Sequence, residues 1–219
     1  MALFRDRQDA GRRFAAKFRG YASSAAIVLG PRGGVPVAAE VAAILGLPLD
    51  LLIVRKLGVP GYLELAIGAI ASGGVRVMRV MNDDVVRGVG IPEDAIETVA
   101  QAEAAELARR KTAYRRARPP LDVGGRTVIL VDDGLATGAT MRAAVQALRA
   151  RHAAHIVVAV PVGAPETCNV LAAEADEIIC AVAPEPFLAV GYLYENFEQT
   201  TDEEAEAILS SASSERRGA

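Results

Sequence analysis

Two neighbouring carboxylates, Asp132 and Asp133, follow the apolar run Thr127–Val131, and a stretch of small and hydroxylated residues, Gly134–Thr140, follows them. Such a segment has the means to recognise a sugar and a phosphate together. Backbone N–H groups at a helix opening near Gly138, with the hydroxyls of Thr137 and Thr140, form a cup for a phosphate. The carboxylates would repel a bare polyphosphate, but each can accept from a sugar hydroxyl. A ribose with a 5'-phosphate satisfies both halves, whereas an Asp-Asp surface turn that only caps a helix is the plainer alternative.

The elements that must hold this segment alternate, which is α/β order. An amphipathic helix is expected over Arg7–Arg19, with Ala10, Phe14 and Phe18 on one face. Ala25–Leu29 reads as a strand stopped by Gly30-Pro31, Val35–Leu45 as a helix, and Leu51–Val54 as a buried strand with Arg55-Lys56 at its carboxyl end. Leu65–Ala71 and Val75–Met81 read as a hairpin around Ser72-Gly73-Gly74. A long helix spans Pro92–Ala117, acidic at its start and basic at its end as the macrodipole favours, and Pro119-Pro120 stops it. Thr127–Val131, Ile156–Val160 and Glu177–Val182 complete the strands; Gly138–Arg149, Pro165–Ala173 and Thr201–Leu209 complete the helices, and the tail from Ser210 reads as disordered. Strand-helix-strand units make a parallel sheet, and ligands bind outside the carboxyl ends of its strands, where Asp132–Thr140 lies.

The hydrophobic strand, the acidic pair, two further residues and then small-Thr-Gly-small-Thr make VILVDDGLATGAT, Val128–Thr140, similar to the signature of type I phosphoribosyltransferases. The resemblance implies that family's fold: a mainly parallel sheet flanked by helices, within one domain over residues 1–209, with residues 57–118 as a loop, hairpin and long-helix insertion and residues 183–209 as a small hood. By position, Asp132 and Asp133 would hold the ribose hydroxyls of 5-phosphoribosyl-1-pyrophosphate, and Ala136, Thr137, Gly138, Ala139 and Thr140 its 5'-phosphate. Gly30–Gly34 would be the pyrophosphate loop, with the exposed amide of Gly33 and the forked donor Arg32, and with a cis peptide between Pro31 and Arg32. By itself that run is a plain turn. Lys56 and Arg55 stand where the family places further basic contacts, ahead of a mobile loop, here Gly58–Glu64; a solvated basic pair is the alternative. Phe187–Glu195 resembles the purine-binding hood with one additional residue, so Phe187 or Tyr192 would stack on a base or simply edge the core.

One departure concerns the acceptor's proton. Hypoxanthine-type enzymes carry an Asp at the position of Ala136, adenine-type enzymes an Ala, so the proton acceptor is unassigned and Glu64 is a candidate. The implied reaction is displacement at ribose C1, with electrostatic help to the departing pyrophosphate and Mg2+ held by substrate oxygens, water, Asp132 and Asp133. The rival is a non-catalytic regulatory protein that senses the same sugar pyrophosphate or a nucleotide. A phosphotransferase is disfavoured, as no Gly-x-x-x-x-Gly-Lys-Ser/Thr run occurs.

Composition narrows the partners. With 27 acidic against 24 basic residues the formal charge is -3, so no basic field exists to hold nucleic acid. The 2 cysteines, Cys168 and Cys180, suit neither a disulfide framework nor a zinc site. No apolar run suits a signal peptide or a membrane span, so a cytoplasmic protein is expected, and the resemblance implies a homodimer. His152 and His155 fall at the end opposite the acid pair and read as structural or exposed.

Overall fold

Short β-branched runs bounded by Gly and Pro become a wholly parallel five-stranded sheet. The structure, a computed structural model, describes residues 2–22, 24–59, 62–73, 76–115 and 120–217. The chain divides into two compact units, one from Met1–Leu51, Leu121–Thr137 and Ala153–Ala219, the other from Leu52–Pro120 and Gly138–His152.

In the first unit β1 (Ile27–Gly30), β2 (Leu49–Leu51), β6 (Thr127–Val131), β7 (His155–Val162) and β8 (Glu177–Val182) pair in the order β2-β1-β6-β7-β8, all parallel. Ile27 lies opposite Val128, and Val128 opposite Ile156, so β1, β6 and β7 form the buried centre. Strands covered on both faces need no polar alternation, which is why these runs are almost continuously apolar. Each fully buried Val, Ile or Leu contributes about 1.5–3 kcal/mol.

The helices of this unit are α1 (Arg7–Phe14), α2 (Val35–Leu45), α6 (Pro165–Ala172) and α7 (Asp202–Arg217). Ala10, Phe14 and Phe18 are buried as expected, although the helix turns into a 3-10 segment, Ala15–Tyr21. α1 crosses α2 closely at Gly11, where an added Cβ would stand 2.8 Å from the Val37 carbonyl oxygen. A capping box opens α7: Thr201 Oγ1 accepts from Glu204 N–H and Glu204 Oε2 from Thr201 N–H. That helix runs on to Arg217. Its Ser residues return their hydroxyls to the preceding turn, as Ser210 does to the Glu206 carbonyl, and a polar composition is therefore no bar to helix.

The second unit holds an antiparallel sheet of β3 (Val54–Val59), β4 (Tyr62–Gly73) and β5 (Arg76–Met81), with α3 (Asp83–Val89), α4 (Glu93–Arg115) and α5 (Ala139–Ala150). The expected β4-β5 hairpin forms, although Gly74 and Val75 at its turn lie outside the described residues. Ala143 and Ala147 share a cluster with Ala69, Ala71 and Val80, because small side chains let α5 approach the sheet closely. Met141, Val145 and Leu148 are buried, as their helical spacing predicted.

Three expectations fail here. Leu51–Val54 is not one strand, since β2 ends at Leu51 and β3 begins at Val54. An apolar run signals burial without saying which sheet receives it. Arg55 and Lys56 consequently lie inside β3, opposite Ile70 and Ala69, and not at a strand end. Gly58–Glu64 is mostly strand and not a loop: Gly58 and Val59 close β3 and Tyr62–Glu64 opens β4, while Pro60 and Gly61 lie outside the described residues. α3 was not anticipated, yet its signals were present, for Asn82 Oδ1 caps Val85 N–H and Gly90 ends the helix with φ 68°.

Candidate functional site

In the first unit the loop after β1 and the acids after β6 come together because the Gly33-Gly34 pair lacks side chains. A Cβ on Gly34 would stand 2.5 Å from the Val131 carbonyl oxygen and 2.6 Å from Asp132 Cα. Gly33 faces the acids themselves, with Asp133 Oδ2 3.2 Å from where its Cβ would be. Only glycine permits this approach of backbone to backbone. Among the described residues the one cis peptide is Glu185–Pro186, so the expected cis bond between Pro31 and Arg32 is absent. A short 3-10 turn, Arg32–Gly34, reverses the chain there without it.

Hydrogen bonds hold the acid pair. Asp132 Oδ1 accepts from Asp133 N–H at 2.9 Å. Asp133 Oδ2 accepts from Arg7 Nε at 2.7 Å, with both side chains little exposed. Burial pushes the Asp133 carboxyl above its ordinary range, against the opposing pull of the Arg7 guanidinium. The Tyr194 hydroxyl donates to the Asp133 carbonyl oxygen at 2.6 Å, and burial, then the charge of Asp133, raises the tyrosine's pKa.

The hood rests on the same loop. Val190 packs against Gly134, and Val190–Leu193 forms a 3-10 turn that leads into Tyr194. Phe187 is half-buried, Tyr192 is 71% exposed and Glu195 is exposed. The carbonyl of Ala136 accepts from Thr167 Oγ1 at 2.6 Å, which ties the far end of the loop to the first turn of α6. Arg32, the expected pyrophosphate ligand, gives its Nη1 to Asp202 Oδ1 at 2.9 Å, at the start of α7.

The rest of the segment opens the second unit. Gly138 caps α5 with φ 76°, a left-handed conformation that glycine adopts without strain. The first backbone N–H groups of α5, from Ala139 and Thr140, have no partner within a helix, and the macrodipole makes that end suited to an anion. Lys56 is exposed on β3, while Arg55 Nε donates to Glu103 Oε2 of α4 at 2.6 Å. Glu64 falls in β4, and its side chain lies outside the described residues.

Sequence reasoning missed Arg7, Tyr194 and the aromatic beside them, Phe197. Arg7 read as one of several bases in an opening helix, and no local spacing could reveal a partner 126 residues away. The described residues contain no group of three or more His, Cys, Asp or Glu able to hold a metal ion by themselves, and no helix long and apolar enough to cross a membrane.

Comparison with known proteins gives three findings. The sequence profile of the phosphoribosyl transferase domain matches residues 5–187. Two proteins of Mycobacterium tuberculosis, from strains CDC 1551 and H37Rv and both named "Putative phosphoribosyl transferase", are 49% identical over 213 residues. The match covers 97% of this chain and 47% of each relative, so the chain spans about half their length. The crystal structure of TT1426 from Thermus thermophilus superposes with a TM-score of 0.78 at 41% identity, covering 95% of this chain and 98% of that one.

Proposed function

The chain belongs to the phosphoribosyl transferase domain family, and from that premise we propose that it moves a 5-phosphoribosyl group from phosphoribosyl pyrophosphate to a nitrogen base, releasing pyrophosphate. The observation that carries the reading is the meeting of the Pro31–Gly34 turn with the acid pair, Gly33 facing Asp133 Oδ2. A turn able to offer amides to a leaving group thus stands beside carboxylates able to grip the sugar.

In this reading Asp132 and Asp133 accept from the ribose hydroxyls and fix the ring, while Thr137 and the amides of Gly138, Ala139 and Thr140 take the 5'-phosphate. Arg32 leaves Asp202 for the pyrophosphate, since a forked guanidinium serves either anion. Positive charge grows on the ribose ring as the C1–oxygen bond breaks, so a site whose fixed dipoles and charges already match that distribution lowers the barrier without reorganising.

The acid pair also fits Mg2+, a hard cation that takes one or two carboxylates and fills its remaining positions with substrate oxygens and water. Asp132 and Asp133 would hold it, and when bound it would neutralise charge on the departing pyrophosphate. We infer a purine-like base as the acceptor, on the likeness of Phe187–Glu195 to a purine hood, and a homodimer as the working unit.

The test is pyrophosphate release from phosphoribosyl pyrophosphate and Mg2+ across a panel of nucleobases. Release with at least one purine is the expected result. Tight binding of the sugar pyrophosphate without turnover on any base would instead identify a sensor, and no binding would end both readings.

A further inference from the structure

Arg7 belongs to neither motif, yet its guanidinium is directly hydrogen-bonded to the acid pair. Its Nε reaches Asp133 Oδ2 at 2.7 Å, with side-chain exposures of 11% and 14%. Its Nη1 donates to the Glu198 carbonyl oxygen at 2.6 Å, and its Cζ lies 3.9 Å from the centre of the Phe197 ring. Phe197 in turn stacks near Tyr194, whose hydroxyl holds the Asp133 carbonyl. Backbone pairing delivers the arginine to this position: Leu3 N–H donates to the Leu193 carbonyl, Glu195 N–H to that of Phe4, and Asn196 N–H to that of Arg5. Asp6 then caps α1 through Asp9 N–H at 2.7 Å, which makes Arg7 the helix's first residue.

Stability alone is a poor reason for this arrangement. A cation in the first turn opposes the helix dipole. Desolvating an ion pair usually costs about as much as its attraction returns. Arg7 is nevertheless gripped on three sides, by a carboxylate, a carbonyl and an aromatic face, and all three belong to the acid loop or to the hood segment. One N–H occupies only one of the roughly four acceptor positions of a carboxylate. Asp133 therefore keeps capacity for a sugar hydroxyl while its orientation is set.

We propose that Arg7 is a positioning residue of the sugar site, holding Asp133 so that this carboxylate selects for one particular ring hydroxyl. The inference rests on the function proposed above and adds to it a determinant of sugar specificity outside both motifs. Removing Arg7 leaves Asp133 in place but unoriented, so discrimination at one hydroxyl is lost while phosphate binding persists.

The experiment measures the affinities of ribose 5-phosphate, 2-deoxyribose 5-phosphate and 3-deoxyribose 5-phosphate by calorimetry for wild type, Arg7→Met, Arg7→Lys and Phe197→Leu. The two deoxy sugars bracket whichever hydroxyl Asp133 takes. A hydrogen bond to a charged acceptor predicts that wild type binds ribose 5-phosphate roughly tenfold or more tightly than either deoxy sugar. Arg7→Met should bring one of those two ratios close to one and leave the other, with Arg7→Lys in between. Equal weakening for all three sugars, or none, overturns the proposal, because a purely structural role does not discriminate among them. Should Arg7→Met fail to fold, Arg7→Lys and Phe197→Leu must still narrow the same ratio, or the proposal fails. A wild type that binds all three sugars equally defeats this inference alone; one that binds none of them, nor phosphoribosyl pyrophosphate, defeats the functional reading and this inference with it.

Discussion

Asp133 and Glu106 are both hydrogen-bonded by arginine, and their carboxyl groups shift in opposite directions. On α4, Glu106 accepts from Arg109 Nε at 2.6 Å and from Arg110 Nε at 2.8 Å, and these bonds, that of Arg109 first, hold its pKa down to about 2. Asp133 has Arg7 at 2.7 Å, yet burial outweighs the arginine and its pKa rises. The same pair of ions thus reads differently by depth. Around Glu106 water still screens the charges, and the i,i+3 and i,i+4 spacing marks an ordinary solvated helix face. Around Asp133 the protein bears a desolvation cost within the acid pair, as the sugar-binding role proposed for it requires.

Substitutions at the two acids should separate these regions most widely. Asp133→Asn should lower pyrophosphate release by about 100-fold, the scale of a lost charge-assisted contact, while Glu106→Gln leaves it unchanged. Equal rates in the two variants would erase the distinction. Next in size is the glycine that lets the loops meet. Gly34→Ala would press a methyl against the Val131 carbonyl and Asp132 Cα and should cost about 1–3 kcal/mol in thermal or urea unfolding, because backbone has little freedom to yield. Gly20→Ala, with nothing within 4 Å, is the neutral control.

Tyr194→Phe should cost about 1 kcal/mol, the worth of one hydrogen bond, and leave the Asp133 carbonyl unpartnered. Unfolding by urea reads the first effect and a weaker grip on phosphoribosyl pyrophosphate the second. The smallest expected change concerns Glu106. Its pKa is lowered from 4.5 to about 2 in the folded protein, so its stabilising effect is present above pH 4.5 and fades as pH falls toward 2. Thermal melts across that window should show a slightly shallower decline for Glu106→Gln than for wild type.

How far the site was legible depended on range along the chain. VILVDDGLATGAT could be read because strand, acids, turn and helix start are consecutive, and each residue type carries its own local preference. Gly33-Gly34 could be read as a turn, and as a pyrophosphate loop through the family resemblance, but its close approach to Asp132 and Asp133 depends on β1 and β6 pairing directly. Lys56 and Glu64 were misplaced because β3 and β4 are shaped by register within their sheet, and an apolar run does not announce register.

From sequence alone came the alternating α/β order, the strands β6 and β8, the helix α2 and the chemical character of the acid-and-hydroxyl segment, since periodicity, capping and side-chain type are local properties. Tertiary structure alone decided that Arg7 should bind Asp133, that Tyr194 should hold the backbone beside it, that Arg32 should rest on Asp202, and that burial should raise rather than lower the pKa of the acid. Those outcomes depend on distances between residues far apart in the chain and on how much water is excluded around them, and neither quantity exists until the chain has folded.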